Sequence, residues 1–205
     1  MVSIPLLDHN GSIVGVGFPS APGDRFNMTA RTSALTQHGD SQFIHVTRNP
    51  DGTENWDRAP RHKSPWTRGT RSPRAIYAIA HANPNEFFLT VRTGLVPRRV
   101  AVDGTTYGQI VSASQYFRHS VSVNPRSPIL LLSCNSGAGP AARLAADVLH
   151  SDGGVLTDIH APKGVVLMQA KYSKEPLVVA TTGMDVVESP WVTYVRDRPS
   201  TKTEE

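Results

Sequence analysis

Two side chains in this sequence have the types and surroundings to do covalent chemistry together, Cys134 and His81. Cys134 is the only cysteine, and it closes an apolar run, Ile129-Leu-Leu-Leu-Ser-Cys134, that leads into Asn135-Ser-Gly137. His81 closes a second run, Ala75-Ile-Tyr-Ala-Ile-Ala-His81, 53 residues upstream. A thiol beside an imidazole makes a nucleophile with its base, because the ring takes the proton as sulfur attacks. Taken singly, a free cysteine more often packs as a small hydrophobe. It is the shared placement of the two that suggests catalysis.

That placement follows from the elements. Short apolar runs without alternation read as strands buried on both faces, the mark of a parallel sheet. Reactive groups of such sheets gather at the carboxyl ends of the strands. The order strand–His81, helix, strand–Cys134, helix is a parallel crossover unit, right-handed by rule. The helix between the strands is expected over about residues 105–119, capped by Thr105 or Thr106. The helix after Cys134 is expected over about 139–150, with Pro140 in its first turn. A thiol feeding that helix start would be favoured as thiolate by the unpaired amides there. Backbone amides in the Asn135-Ser-Gly137 loop are candidate oxyanion donors.

The remaining elements are read more coarsely. Residues 4–19, alternating around Asp8-His-Asn-Gly11 with Ile13–Phe18 after it, read as a hairpin, as do 42–47 and 53–56 around Asn49-Pro-Asp-Gly52. Residues 20–40, rich in Pro, Gly, Ser and Thr, read as loop, and 57–74 as an exposed connection. Strands are expected over 86–91, 100–102 and 155–159. Val165–Met168 should pair with Leu177–Ala180, and Trp191–Val195 is an edge strand. The expected fold class is α/β, a mainly parallel sheet flanked by helices with N-terminal β-hairpin decoration. Residues 1–74 belong to the same domain as the 75–195 core, and 196–205 is a polar tail.

Composition narrows the chemistry further. The chain has 205 residues, 39% of them hydrophobic, with a mean hydropathy of −0.28. No apolar stretch is long enough to span a bilayer, and Met1–Asp8 lacks the basic start of a signal peptide. One cysteine excludes an internal disulfide and a Cys-rich zinc site. The eight histidines show no metal-ligand spacing, so no metal or organic cofactor is required. A phosphatase loop needs Arg six residues past its Cys. Here that residue is Pro140, and the next arginine is Arg143. The net charge of +4 is concentrated locally. Arg58, Arg61, Lys63, Arg68, Arg71 and Arg74 lie within 57–74 against one anion, and Arg98-Arg99 follows. Such a run can attract polyanions, although no aromatic stacking pattern for nucleic acid accompanies it.

On the two strand ends and their spacing, the sequence resembles the caspase-like cysteine peptidases, where a histidine lies about 50 residues before the cysteine. Within that clan it is most similar to the "lonely Cys" and self-cleaving domains of large actinobacterial toxin-like proteins, over residues 75–170. The resemblance implies an endopeptidase with Cys134 as nucleophile and His81 as general base. The Ala82 and Asn135 amides would serve at the oxyanion. The substrate would be a protein or peptide, including an adjoining segment of its own chain. It also implies an activator, a polyphosphorylated small molecule held by the cations named above. Two departures stand out: Ala82 replaces the glycine that usually follows the histidine, and the caspase Gln-Ala-Cys box is absent. These support a second reading, a degenerate peptidase fold that binds a partner. A third is a polyanion or nucleic-acid binder working through 57–74.

Overall fold

A computed structural model of the chain describes residues 1–38, 41–49, 51–56, 59–67, 75–94, 96–167, 177–182 and 188–196. The run ending at His81 forms β6 (Ile76–Ala82) and the run ending at Cys134 forms β9 (Ile129–Leu131); they pair in parallel. Both strands are buried on two faces, which is why neither run alternates. Ile76, Ala78, Ala80, Ile129 and Leu131 enter one core, whereas Tyr77, Ile79, Leu130 and Leu132 enter another.

Around this pair the sheet grows both ways. On one side β2 (Ile13–Phe18) runs parallel to β6, and β1 (Ile4–Leu7) pairs antiparallel with β2. On the other, β10 (Ile159–Pro162) runs parallel to β9, and β13 (Trp191–Tyr194) closes the edge antiparallel. A hairpin of β7 (Phe87–Thr93) and β8 (Val96–Val102) continues from the end of β6. The first hairpin is therefore no decoration, since β2 is a central strand. In this sheet the parallel set is limited to β2, β6, β9 and β10, and the chain is α/β with mixed sheets.

Helices α2 (Gly104–Ala113), α3 (Gln115–Val123) and α4 (Pro140–Ser151) cover the first core through Tyr107, Val111, Phe117, Ala145 and Leu149. The expected single helix over 105–119 breaks because Ser114 is extended (ψ 127°), and its cap is Asp103, whose Oδ1 accepts the Thr106 amide at 2.7 Å. The strand expected over 155–159 starts only at Ile159, because the Val155 amide bonds back to Leu149 and closes the end of α4.

The second core lies under α1 (Asp24–His38) and a second sheet. That sheet holds β3 (Gln42–Arg48), β4 (Glu54–Asn55), β5 (Arg61–Lys63), β11 (Val165–Val166) and β12 (Leu177–Thr181), with β12 parallel to β3. Both expected hairpins are present, β3 with β4 and β11 with β12. Met168 and the tail beyond Arg196 lie outside the described residues. The expected loop over 20–40 is instead the helix α1. Its buried residues are Asp24, Met28, Arg31, Thr32, Ala34 and Leu35, and all but Ala34 keep helical spacing, but three of the six are polar.

Gly15 fixes how closely β2 approaches β6. Its φ is +154°, and a Cβ there would lie 1.9 Å from the Tyr77 carbonyl oxygen. Gly15→Ala should cost about 2–4 kcal/mol, lowering the melting temperature by on the order of 10 °C. A calorimetric scan checks this, and an unchanged midpoint would contradict the packing.

Candidate active site

The β6–β9 ladder pairs Ile76 with Ile129, Tyr77 with Leu130 and Ala78 with Leu131, an offset equal to the spacing of His81 and Cys134. Beyond the ladder the chain turns, with the Ser133 amide donating to the Leu131 carbonyl at 2.8 Å, while the Ala80 amide donates to Ser133 Oγ at 3.2 Å. His81 and Cys134 thus lie at the carboxyl ends of adjacent parallel strands. Alternation along β6 puts His81 on the face of Tyr77 and Ile79, and Cys134, in the turn past β9, packs against the core that holds Leu130 and Leu132. Both side chains line one cleft of about 440 Å³ between this sheet end, α1 and the second sheet.

A third group, invisible to the sequence reading, completes the pair. His81 Nε2 lies 3.0 Å from both carboxylate oxygens of Asp24, the first residue of α1. Asp24 Oδ2 also accepts the Ser20 and Ala21 amides at 2.8 and 2.7 Å, which fixes the carboxylate in place. With the Nε2 proton given to Asp24, Nδ1 is the nitrogen left to accept the proton of the thiol. The one sequence cue was Pro22-Gly23-Asp24, an acidic residue at a helix start.

Cys134 Sγ sits 3.8 Å from the Val166 carbonyl oxygen, and burial pushes its pKa up. The backbone of Val166, the cysteine's own amide and the Arg48 charge pull the other way and are outweighed. The expected helix-stabilised thiolate is thus not what the structure has. The 3₁₀ turn Ser136–Ala138 and Gly139 separate Cys134 from the first turn of α4, and the helix-end field fades within a turn. Iodoacetamide should accordingly modify Cys134 slowly at neutral pH, its rate still rising above pH 9, since only the thiolate reacts. A rate that levels off below pH 7 would overturn this.

The two oxyanion candidates fare differently. The Asn135 amide donates to the Gly164 carbonyl at 2.8 Å, with Asn135 itself left-handed (φ 57°), so that donor is already committed. The amides of Ile76 and Ala80 both point toward β9. Alternation turns the Ala82 amide to the same side, toward Cys134. Close packing couples the two loops: the Ala141 amide donates to the Pro84 carbonyl at 3.1 Å, and a Cβ on Gly139 would lie 2.4 Å from that oxygen.

The four predicted basic residues that the structure describes do not converge. Arg61 and Lys63 are on β5, and Trp66, just beyond, packs on Trp191 (4.8 Å) and His160 (5.5 Å) at the β10–β13 edge. Arg98 and Arg99 are on β8, in the hairpin tied to the opposite edge by the Val2 amide on Thr90. Arg58, Arg68, Arg71 and Arg74 lie outside the described residues. The cation that does line the cleft is Arg48, whose Nη2 bonds Glu54 at 2.8 Å. Among the described residues no group of three or more His, Cys, Asp or Glu is placed to hold a metal, and no helix is long and apolar enough to cross a membrane.

No protein-family model matches this sequence, and neither a curated protein nor a solved structure is significantly similar to it.

Proposed function

We propose that this chain is a cysteine endopeptidase with a caspase-like arrangement of strands, acting through Asp24, His81 and Cys134 on a polypeptide that includes an adjoining segment of its own chain. The observation that supports the reading is one cleft at the carboxyl ends of the paired strands β6 and β9, lined by an Asp24-anchored imidazole and the chain's single thiol. His81 Nδ1 takes the thiol proton as sulfur attacks the substrate carbonyl, and the Ala82 amide donates to the oxyanion. The C–N bond then breaks, with His81 returning its proton to the leaving amine. Water, deprotonated by the same ring, cleaves the thioester and releases the acid. The burial that raises the thiol pKa favours proton transfer during attack rather than before it.

The Asn135–Gly164 bond and the raised thiol pKa are what favour the rival, a binding module on a degenerate peptidase fold. Incubation with an unfolded polypeptide separates the two. The enzyme generates new amino termini, and prior alkylation of Cys134 stops them. If no termini appear and the Cys134 alkylation rate is the same in His81→Ala, the peptidase reading is wrong.

A further inference from the structure

The cleft carries a charge pair as well as the reacting groups. Arg48 and Glu54 are direct cross-strand partners on β3 and β4, so they stand on one face of the second sheet. Both line the cleft, and their side chains are 25% and 21% exposed. The pair is joined by one contact, Nη2 to Oε1 at 2.8 Å. That contact uses one of the five guanidinium N–H groups and one carboxylate oxygen, and it leaves both donor and acceptor capacity on the cleft wall. The cleft is also lined by the apolar Met28, Ile79, Leu132 and Leu167 and by the polar Asn27.

Resting on the peptidase reading, we infer that Arg48 and Glu54 select a substrate residue with a carboxamide side chain, asparagine or glutamine, next to the cleaved bond. A carboxamide carries an acceptor and a donor on one short stem, so its oxygen can take an Arg48 N–H while its NH₂ group gives to Glu54. A carboxylate would find Arg48 already neutralised and would lie against the Glu54 charge. An ammonium or guanidinium would meet Arg48. An aliphatic side chain would fill the apolar wall and leave both polar groups desolvated without partners, the strongest source of discrimination such a site has. Arg48, Glu54 and Cys134 line the same cleft, which puts the pair beside a residue bound at the nucleophile.

The test uses five peptidyl acyloxymethyl ketones, thiol-directed electrophiles that differ only in the residue beside the reactive carbon: Asn, Gln, Asp, Lys or Leu. Intact-protein mass reads the rate at which each labels Cys134. One of the two carboxamide probes should label about tenfold or more faster than the Asp, Lys and Leu probes. In Glu54→Gln the Asp probe should gain on the carboxamides, because the repelling charge is gone while the shape is kept. Equal rates for all five, or the Asp or Leu probe fastest in the unaltered protein, would overturn the carboxamide preference and leave the peptidase reading standing. Labelling by none, together with an alkylation rate unaffected by His81→Ala, would overturn both.

Discussion

Asp24→Asn lowers the turnover of peptide cleavage by about 10²–10⁴-fold while the protein stays folded. The expectation follows from the three groups that surround the carboxylate. Oδ2 accepts the Ser20 and Ala21 amides, and both oxygens face His81 Nε2. An asparagine must keep its oxygen where the two amides need an acceptor, which turns its NH₂ group toward the ring. Nε2 then has to accept rather than donate, the proton moves to Nδ1, and the nitrogen left for the thiol can no longer take a proton. The loss should fall on kcat more than on KM, because Asp24 orients the base and does not grip substrate. Ring nitrogen shifts measured by NMR should report the change of tautomer. Full activity in Asp24→Asn, with the original tautomer retained, would reduce Asp24 to a helix-start residue.

Cys134→Ala should abolish cleavage altogether. In the proposed mechanism sulfur forms and then loses the acyl bond, and no other thiol exists in the chain to replace it. The cost to the fold should be small. Cys134 packs at the margin of the second core, and exchanging a thiol for a methyl group there is worth on the order of 1 kcal/mol. A melting midpoint within a few degrees of the unaltered protein, combined with complete loss of product termini, is the expected result. Cleavage persisting in the alanine variant would exclude Cys134 as the nucleophile.

His81 and Cys134 were legible in the sequence because strands buried on both faces leave an unambiguous local trace. Ala75–His81 and Ile129–Cys134 are unbroken apolar runs, each with a polar residue where the strand meets solvent. Their spacing became meaningful only through the register of β6 on β9, which equals it. Asp24 was not legible, for two reasons. The buried face of α1 mixes Asp24, Arg31 and Thr32 with Met28 and Leu35, so hydrophobic periodicity does not reveal the helix. Its partner His81 is also 57 residues away, and no local pattern encodes a contact made only when a loop helix docks on a strand end. The same holds for Arg48 and Glu54, which acquire a role because the second sheet closes over the thiol. The fate of the Asn135 amide belongs here too, since it depends on the Gly164 carbonyl brought in by the chain before β11. The sequence carries the cations of 57–74 close together with Arg98-Arg99 following, but the topology puts β5 in the second sheet and β8 in the first. From the sequence came the candidate nucleophile and base, both candidate oxyanion amides and the strands that carry them. Tertiary structure alone decided the carboxylate beside His81, which of the two amides is already committed, and the Arg48–Glu54 pair, because each is a non-local pairing fixed by packing rather than by the identity of neighbouring residues.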